Sequence, residues 1–398
     1  GFISPEKSML IASDHRVFGI TEKSAAGDGS VDRELILEMG QRYAKTFIHF
    51  DMSEIVQRQG TVISAALLGA IAGSGALPFA VHCFRDLLSS GGSAAANLAA
   101  FDESFRRAQS GGVEEYVPAR AEPFTLPVAT NALGERWLPR IADLPEALHE
   151  TAYHSINRLM DYQDEAYAEE WLRRLSAVID RDSDMEGRAL SHETGRHLAL
   201  WMAFEDIPRV AQLKVRPDRE AMIRSEVNAA PEQPVTVAEF FHPRVEEVAA
   251  LLPEKWGRAL LGSATASGWF GRLLGPRTLR TDRVGTQLIL RCLAGLRRCR
   301  RSTLGYAHER HMIDKWYDAV LSAKTQDAAL AIAALGSMVK GYGETRHRTT
   351  SRLMQILDYL EQSPENEAGT IASLHRAAMM PDSKFEIDDI TLPDPEVA

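Results

Sequence analysis

The stretch that decides the fold runs from Pro145 to Val178, PEALHETAYHSINRLMDYQDEAYAEEWLRRLSAV. It reads as two amphipathic helices, Pro145–Asp161 and Asp164–Val178. The same pattern continues over Ser191–Lys214, Arg216–Ala229, Val235–Leu251, Arg283–Leu296, Tyr306–Leu321 and Gln326–Lys340, with almost no strand-like alternation. Residues 144–360 are therefore expected to form a helical domain of roughly six to nine helices. No period of about 20–50 residues repeats, so a solenoid is not expected. After Leu360 the pattern breaks at EQSPENEAGT, and residues 361–398 read as an acidic extended tail.

Upstream the pattern is different. Met9–Ala12 and Val17–Ile20 read as buried strands. A helix is predicted over Asp32–Ala44, with Asp32 as its N-cap and Leu35, Ile36 and Met39 on one face. TFIHFD, ending at Asp51, is a short strand, and Asp51 or Ser53 caps the next helix. Further helices are expected at Val62–Ala72, Phe79–Leu88 and Ala94–Ala108. Strands alternating with helices predict an α/β layer of few strands over residues 1–112. Pro118, Pro123 and Pro127 make residues 113–143 an extended connection. The predicted fold class is mostly α with a partial α/β domain. A strand that opens so early predicts that the chain is the later part of a longer polypeptide.

Composition narrows the function classes. The 398 residues carry a net charge of −10, with 45% hydrophobic and 25% charged residues. The acidic balance argues against nucleic acid or an anionic membrane as partner. Gly60 to Val81 lacks charge and reaches the ~20 residues of a membrane span. Its four Gly, two Ser and one Pro make it core helix and turn instead. Cys83, Cys292 and Cys299 are too few for a disulfide framework and fit a reducing cytoplasm. No CxxC occurs, and an iron–sulfur cluster normally takes about four thiolates. Cys292 and Cys299 are expected to pack as small buried hydrophobes.

Several motifs carry chemical meaning. Gly27-Asp28-Gly29 has the form of the Mg²⁺-binding triplet of thiamine diphosphate enzymes. Its second oxygen ligand, a downstream Asn, is missing, since the next Asn after Gly29 is Asn97. The triplet reads as a turn. Gly73-Ser74-Gly75 reads as a helix C-cap and not as a dinucleotide loop. His192 with His197, and His308 with His311, lack a third metal ligand nearby and read as surface or satisfied histidines. Ser13, His15, Arg16, Glu22, Lys23 and Asp28 form a polar loop beside two apolar strands, either an active-site edge or a self-capped turn. From Arg272 to Arg310 there are ten Arg, opposed only by Asp282 and Glu309, a balance of +8. Arg297, Arg298, Arg300 and Arg301 are its densest part. They form either a solvated helix face or a surface for a phosphate-bearing ligand, an acidic partner or the chain's own tail. MVKGYGETRHR sets Lys340, Tyr342 and Arg346 in a short loop between helices, either a tight turn or an interface edge.

Six segments carry a family resemblance. LIASDHRVFGITEKSAAGDG, RQGTVISAALLGAIAGSGALP, AFEDIPRVAQLKVRPDR, VAEFFHPRVEEVAALLP, LRCLAGLRRCRRSTLGYAHE and VKGYGETR resemble, in that order, the beta subunit of indolepyruvate ferredoxin oxidoreductase. The resemblance runs from about Phe2 to Leu360. It implies an incomplete Rossmann-like gamma-type domain followed by a larger all-helical domain. The family chemistry is oxidative decarboxylation of an aryl 2-oxo acid to an acyl-CoA, with electrons passing to ferredoxin. The resemblance places thiamine diphosphate, Mg²⁺ and the iron–sulfur clusters in a companion alpha-type subunit, with no cofactor on this chain alone. It implies coenzyme A at the subunit interface. The family's opening strand and Gly-rich turn are absent, and Ser64 stands where typical gamma domains place an Asn ahead of the pair Leu68-Gly69. The resemblance assigns no catalytic residue.

Overall fold

A computed structural model describes residues 3–24, 30–89, 93–111, 123–227, 229–230, 232–241, 244–263, 265, 277–340, 343–362, 367–380 and 385. The chain is mostly α-helical, with two small sheets of two strands each among the described residues. It divides into two compact units, Gly1–Glu122 and Pro123–Ala398.

In the first unit, β1 (Met9–Ser13) pairs in parallel with β2 (Thr46–Phe50), in register from Met9 opposite Thr46 to Ser13 opposite Phe50. The crossover contains α1 (Ile20–Ser24) and α2 (Arg33–Tyr43). Asp32 caps α2 by accepting the Glu34 N–H at 3.0 Å. Asp51 caps α3 (Met52–Gln59) by accepting the Glu54 N–H at 2.9 Å. Then follow α4 (Ile63–Gly73), α5 (Val81–Leu88) and α6 (Ala94–Gln109). One sheet face supplies Ile48 and Phe50 to a core with Met52, Ile55, Ala66 and Ala100.

Helices α4 and α6 cross closely because α4 is built of small residues. A Cβ at Gly69 would lie 2.2 Å from the Phe101 carbonyl oxygen, and one at Gly73 would lie 2.4 Å from that of Phe105. Gly75, at φ +68°, follows the Ser74 C-cap, so GSG ends a helix as read.

The expected strand Val17–Ile20 is absent. Residues 17–19 have no regular structure, and Ile20 opens α1. Val17, Phe18 and Ile20 are exposed, with no neighbouring strand among the described residues to bury them. The turn read at Gly27–Gly29 lies outside the described residues.

The second unit begins with α7 (Ala132–Ala142), α8 (His149–Tyr162), α9 (Glu165–Arg181), α10 (Ala189–Met202), α11 (Ile207–Lys214) and α12 (Pro217–Glu226). Strand β3 (Ala238–Phe241), α13 (Val245–Leu251), α14 (Glu254–Gly262) and β4 (Arg277–Arg280) follow. Next come α15 (Val284–Gly295), α16 (Leu304–Ser322), α17 (Gln326–Ala334), α18 (Gly343–Gln362) and α19 (Ala368–Ala378). The core gathers Trp171, Trp201, Trp316, Leu198, Leu353 and Ile371. Its aromatic donors find backbone partners. Trp171 donates to the Gly195 carbonyl and Trp316 to the Ile332 carbonyl, both at 2.9 Å. Burial of that kind needs such partners, because an unpaired polar group inside is costly.

The second unit corrects five expectations. The Pro-rich stretch ends in a helix, α7, because Asn131 caps it and Trp137 and Ile141 enter the core. Ser191–Lys214 breaks at residues 203–206, where Asp206 caps α11 and Pro208 takes its first turn. Val235–Leu251 is not one helix, since β3 pairs antiparallel with β4 before α13 begins. The stretch after Leu360 holds α19, whose Ile371, Leu374 and Ala378 are buried. Cys292 and Cys299 are exposed, as is Cys83.

Replacing Gly69 by Ala should destabilise the first unit by about 1–3 kcal/mol, the usual cost of overpacking against rigid backbone. Ala at Gly262, where an added Cβ meets nothing within 4 Å, should change little. Urea unfolding of the two variants checks the contrast.

Candidate functional site

In open α/β sheets, ligands bind outside the carboxyl ends of the strands. Here that edge carries Ser13, Asp14, His15 and Arg16 from β1, with His49 from β2. The Ser13 hydroxyl accepts the Met52 N–H at 3.0 Å and lies 2.7 Å from His15 Nδ1. The two Asp14 carboxylate oxygens lie 3.0 and 3.1 Å from His49 Nδ1. Arg33, from the start of α2, stands 3.6 Å from the same carboxylate. The His49 ring stacks on Phe47 with 4.4 Å between centroids. His49 is only 4% exposed, and its Nε2 has no hydrogen-bond partner among the described residues. With Nδ1 facing Asp14, Nε2 is the ring nitrogen without a partner among the described residues.

Arg16 and Glu22 hold the loop together. Their side chains pair through Nη1 and Nη2 of the guanidinium, and Arg16 also donates to the Val31 carbonyl at 2.9 Å. Glu22 accepts the N–H groups of Gly19 at 2.7 Å and Val31 at 2.9 Å. The Arg16 hydrogen bond, then those from Val31 and Gly19, lower the Glu22 pKa to about 2. Lys23 lies on α1, with its side chain outside the described atoms, and Asp28 lies outside the described residues. The sequence reading missed Asp14, Arg33 and His49. Asp14 and His49 are 35 positions apart, and only the parallel register brings them together.

The Arg-rich run holds a second cluster, in the 3₁₀ turn Leu296–Ser302. Arg300 is 1% exposed. Its Nε and Nη2 donate to the two Asp206 carboxylate oxygens at 2.6 and 2.9 Å. Its Nη1 donates to the Tyr162 carbonyl at 2.8 Å and to Gln163 Oε1 at 2.7 Å. The guanidinium carbon lies 3.9 Å above the Tyr162 ring. Burial opposes the Arg300 charge, but the Asp206 hydrogen bonds and the neighbouring groups raise its pKa on balance. Arg301 donates to Asp164, the N-cap of α9, at 2.8 Å. Arg300 is thus an internal tie, unavailable to an external anion. Arg297 is half-buried and Arg298 exposed.

Arg346 sits within α18 rather than in a loop, bonded to both Glu309 oxygens at 2.8 and 2.9 Å. Lys340 is exposed, and Tyr342 lies outside the described residues. Elsewhere, a cleft of about 570 Å³ is lined by His311, one of the paired histidines, with Asp314, Lys315, Lys324, Leu357 and Leu360. Among the described residues, no group of three or more His, Cys, Asp or Glu could hold a metal ion. No described helix is long and apolar enough to cross a membrane.

A family of unknown function, DUF6537, matches residues 148–359, more than half of the 398. The chain belongs to DUF6537. The matched span lies within the second unit and contains Tyr162, Asp206 and Arg300, so the buried ion pair falls inside the DUF6537 region. No curated protein matches the chain, and no solved structure does.

Two outcomes follow. Arg300→Ala should cost about 3–5 kcal/mol of stability, because it leaves Asp206 without its buried partner, whereas Arg298→Ala should cost no more than about 0.5 kcal/mol. Denaturant unfolding followed by Trp fluorescence separates the two. The second concerns Glu22, whose carboxyl lies below its ordinary 4.5 in the folded chain, at about 2. Its hold on the loop is complete above pH 4.5 and is lost as the pH falls toward 2. Protection of the Gly19 and Val31 amides, measured relative to their intrinsic exchange rates, should fall over that window, and Glu22→Gln should remove this pH dependence.

Proposed function

We propose that this chain is the non-thiamine subunit, or a piece of one, of an indolepyruvate-type 2-oxoacid:ferredoxin oxidoreductase. The observation that carries the reading is the polar set at the carboxyl ends of β1 and β2: Ser13, Asp14, His15, Arg16 and His49. That edge is where a parallel sheet presents side chains to a ligand. The six segments resembling the family span both units.

In this reading the companion chain supplies thiamine diphosphate, Mg²⁺, the iron–sulfur clusters and the route to ferredoxin. Coenzyme A binds at the subunit boundary. This chain covers the companion's site and excludes water from it. The Asp14–His49 pair gives the cover one buried, oriented imidazole that can hold or release a proton at Nε2. The isolated chain is inactive.

One observation favours a second reading, an assembly module that only docks a partner. Arg16 and Glu22 satisfy one another and the loop backbone. Side chains so engaged serve the loop before they serve a substrate.

The test is reconstitution with the thiamine- and iron–sulfur-bearing companion chain, assayed for reduction of ferredoxin by an aryl 2-oxo acid. A stable, active complex is expected, with no turnover by either chain alone. His49→Gln should lower turnover at least about tenfold, within the range of lost acid–base assistance, while assembly stays intact. An active complex that His49→Gln leaves unchanged favours the docking reading, and failure to associate overturns both.

A further inference from the structure

Helix α15, Val284–Gly295, is apolar on two opposite faces. Leu290 is fully buried on the side that packs against α11. On the other side Val284 is 86%, Leu288 61% and Ile289 55% exposed, and Cys292 is exposed as well. Leu296, just past the helix end, extends the same outer face. A helix that is apolar all round is ordinarily buried all round. Among the described residues, nothing covers this outer face.

The charges along α15 and the turn after it have one sign. From Arg283 to His308 the sequence contains no Asp or Glu. Arg300 and Arg301 are bound to Asp206 and Asp164. Arg291, Arg297 and Arg298 form no ion pair with any described residue, and Arg291 and Arg298 are exposed. An aliphatic stripe thus has cations at its margin and no anion of its own.

We propose that the outer face of α15 is a docking surface for an acidic amphipathic helix of a partner protein. Leu288 and Ile289 would enter the partner's apolar seam, and Arg291 and Arg298 would meet carboxylates along its edge. The match is one of charge and shape. α15 spans 12 residues, or about 18 Å, enough to seat about three turns of a second helix. Opposite charges at the rim select and orient the partner, and the apolar centre holds it. A second copy of this chain fits poorly, because an isologous contact would set Arg291 and Arg298 against their own like charges. Nucleic acid fits poorly as well, since the stripe is aliphatic and offers no ring for base stacking.

The test uses the full chain and a fluorescent helical peptide carrying Leu at i, i+3, i+4 and i+7 with Glu on its flanks. Controls are the same peptide with Lys for Glu, the same peptide with Ser for Leu, and a single-stranded RNA. Binding is read by anisotropy. Occupancy of the face is read by alkylation of Cys292, with Cys83 in the other unit as internal reference. The acidic peptide should bind in a salt-sensitive way and slow alkylation at Cys292 but not at Cys83. Leu288→Asp, on an exposed position that leaves the fold intact, should weaken binding about tenfold or more, as losing a buried leucine anchor does. Arg291→Glu with Arg298→Glu should shift the preference to the basic peptide. The proposal fails if acidic and basic peptides bind alike, or if RNA protects Cys292 in place of the acidic peptide. It also fails if Cys292 is already shielded in the free monomer, or if self-association in sedimentation accounts for the shielding.

Discussion

A guanidinium taken out of water must be paired on nearly every side, and Arg300 sets the arrangement of the helices around it. Its fork grips Asp206, its third nitrogen reaches the last turn of α8 at Tyr162 and Gln163, and its plane rests on the Tyr162 ring. Asp206 accepts the Arg209 N–H at 2.7 Å while it holds Arg300, so one carboxylate both starts α11 and anchors the turn before α16. Arg301 repeats the device at the N-cap of α9. Two consecutive arginines therefore hold the N-termini of two helices, where a carboxylate is already favoured by the helix dipole. Buried pairs are not automatically stabilising against an apolar alternative. Their geometry fixes register, and here it fixes where the turn Leu296–Ser302 lies against α8, α9 and α11.

That arrangement changes how the basic run is understood. Ten arginines over a short span look like a surface waiting for an anion. Much of the charge is used at home. Arg300 and Arg301 reach back to Asp206 and Asp164, and Arg310 pairs with Glu170 and Asp314. The carboxylates that pair with these three arginines belong to the same unit, at helix N-caps and within helices. Once those are subtracted, the residual positive charge sits beside α15, whose outer face is apolar.

The first unit follows a different logic. Two parallel strands bury one face under α4 and α6, with glycines at the crossing where a methyl group would strike backbone. The polar residues concentrate where both strands end. They satisfy one another to a large degree, with Ser13 bonded to Met52, Asp14 to His49, and Arg16 to Glu22. Nε2 of His49 stays buried and without a hydrogen-bond partner among the described residues.

Local pattern was enough for most of the secondary structure. The helical period predicted α8 and α9 nearly in full, and Asp32 and Asp51 were legible as caps because an N-cap acts within three residues. The mostly helical class with a small α/β part followed from the same periodicities. Local pattern failed where burial came from afar. Val17–Ile20 has strand composition but no neighbouring strand among the described residues, and α7 and α19 form in stretches that read as extended because the core receives Trp137, Ile141, Ile371 and Leu374. At the site, Ser13, His15, Arg16 and Glu22 could be picked out because they crowd one loop. Asp14 and His49 needed the parallel register, and Arg300 needed Asp206, 94 residues away. Periodicity and capping are near-neighbour properties that the sequence carries by itself. Whether a charge faces water, a ligand or another helix depends on which distant segments pack together, and that only the tertiary structure decided.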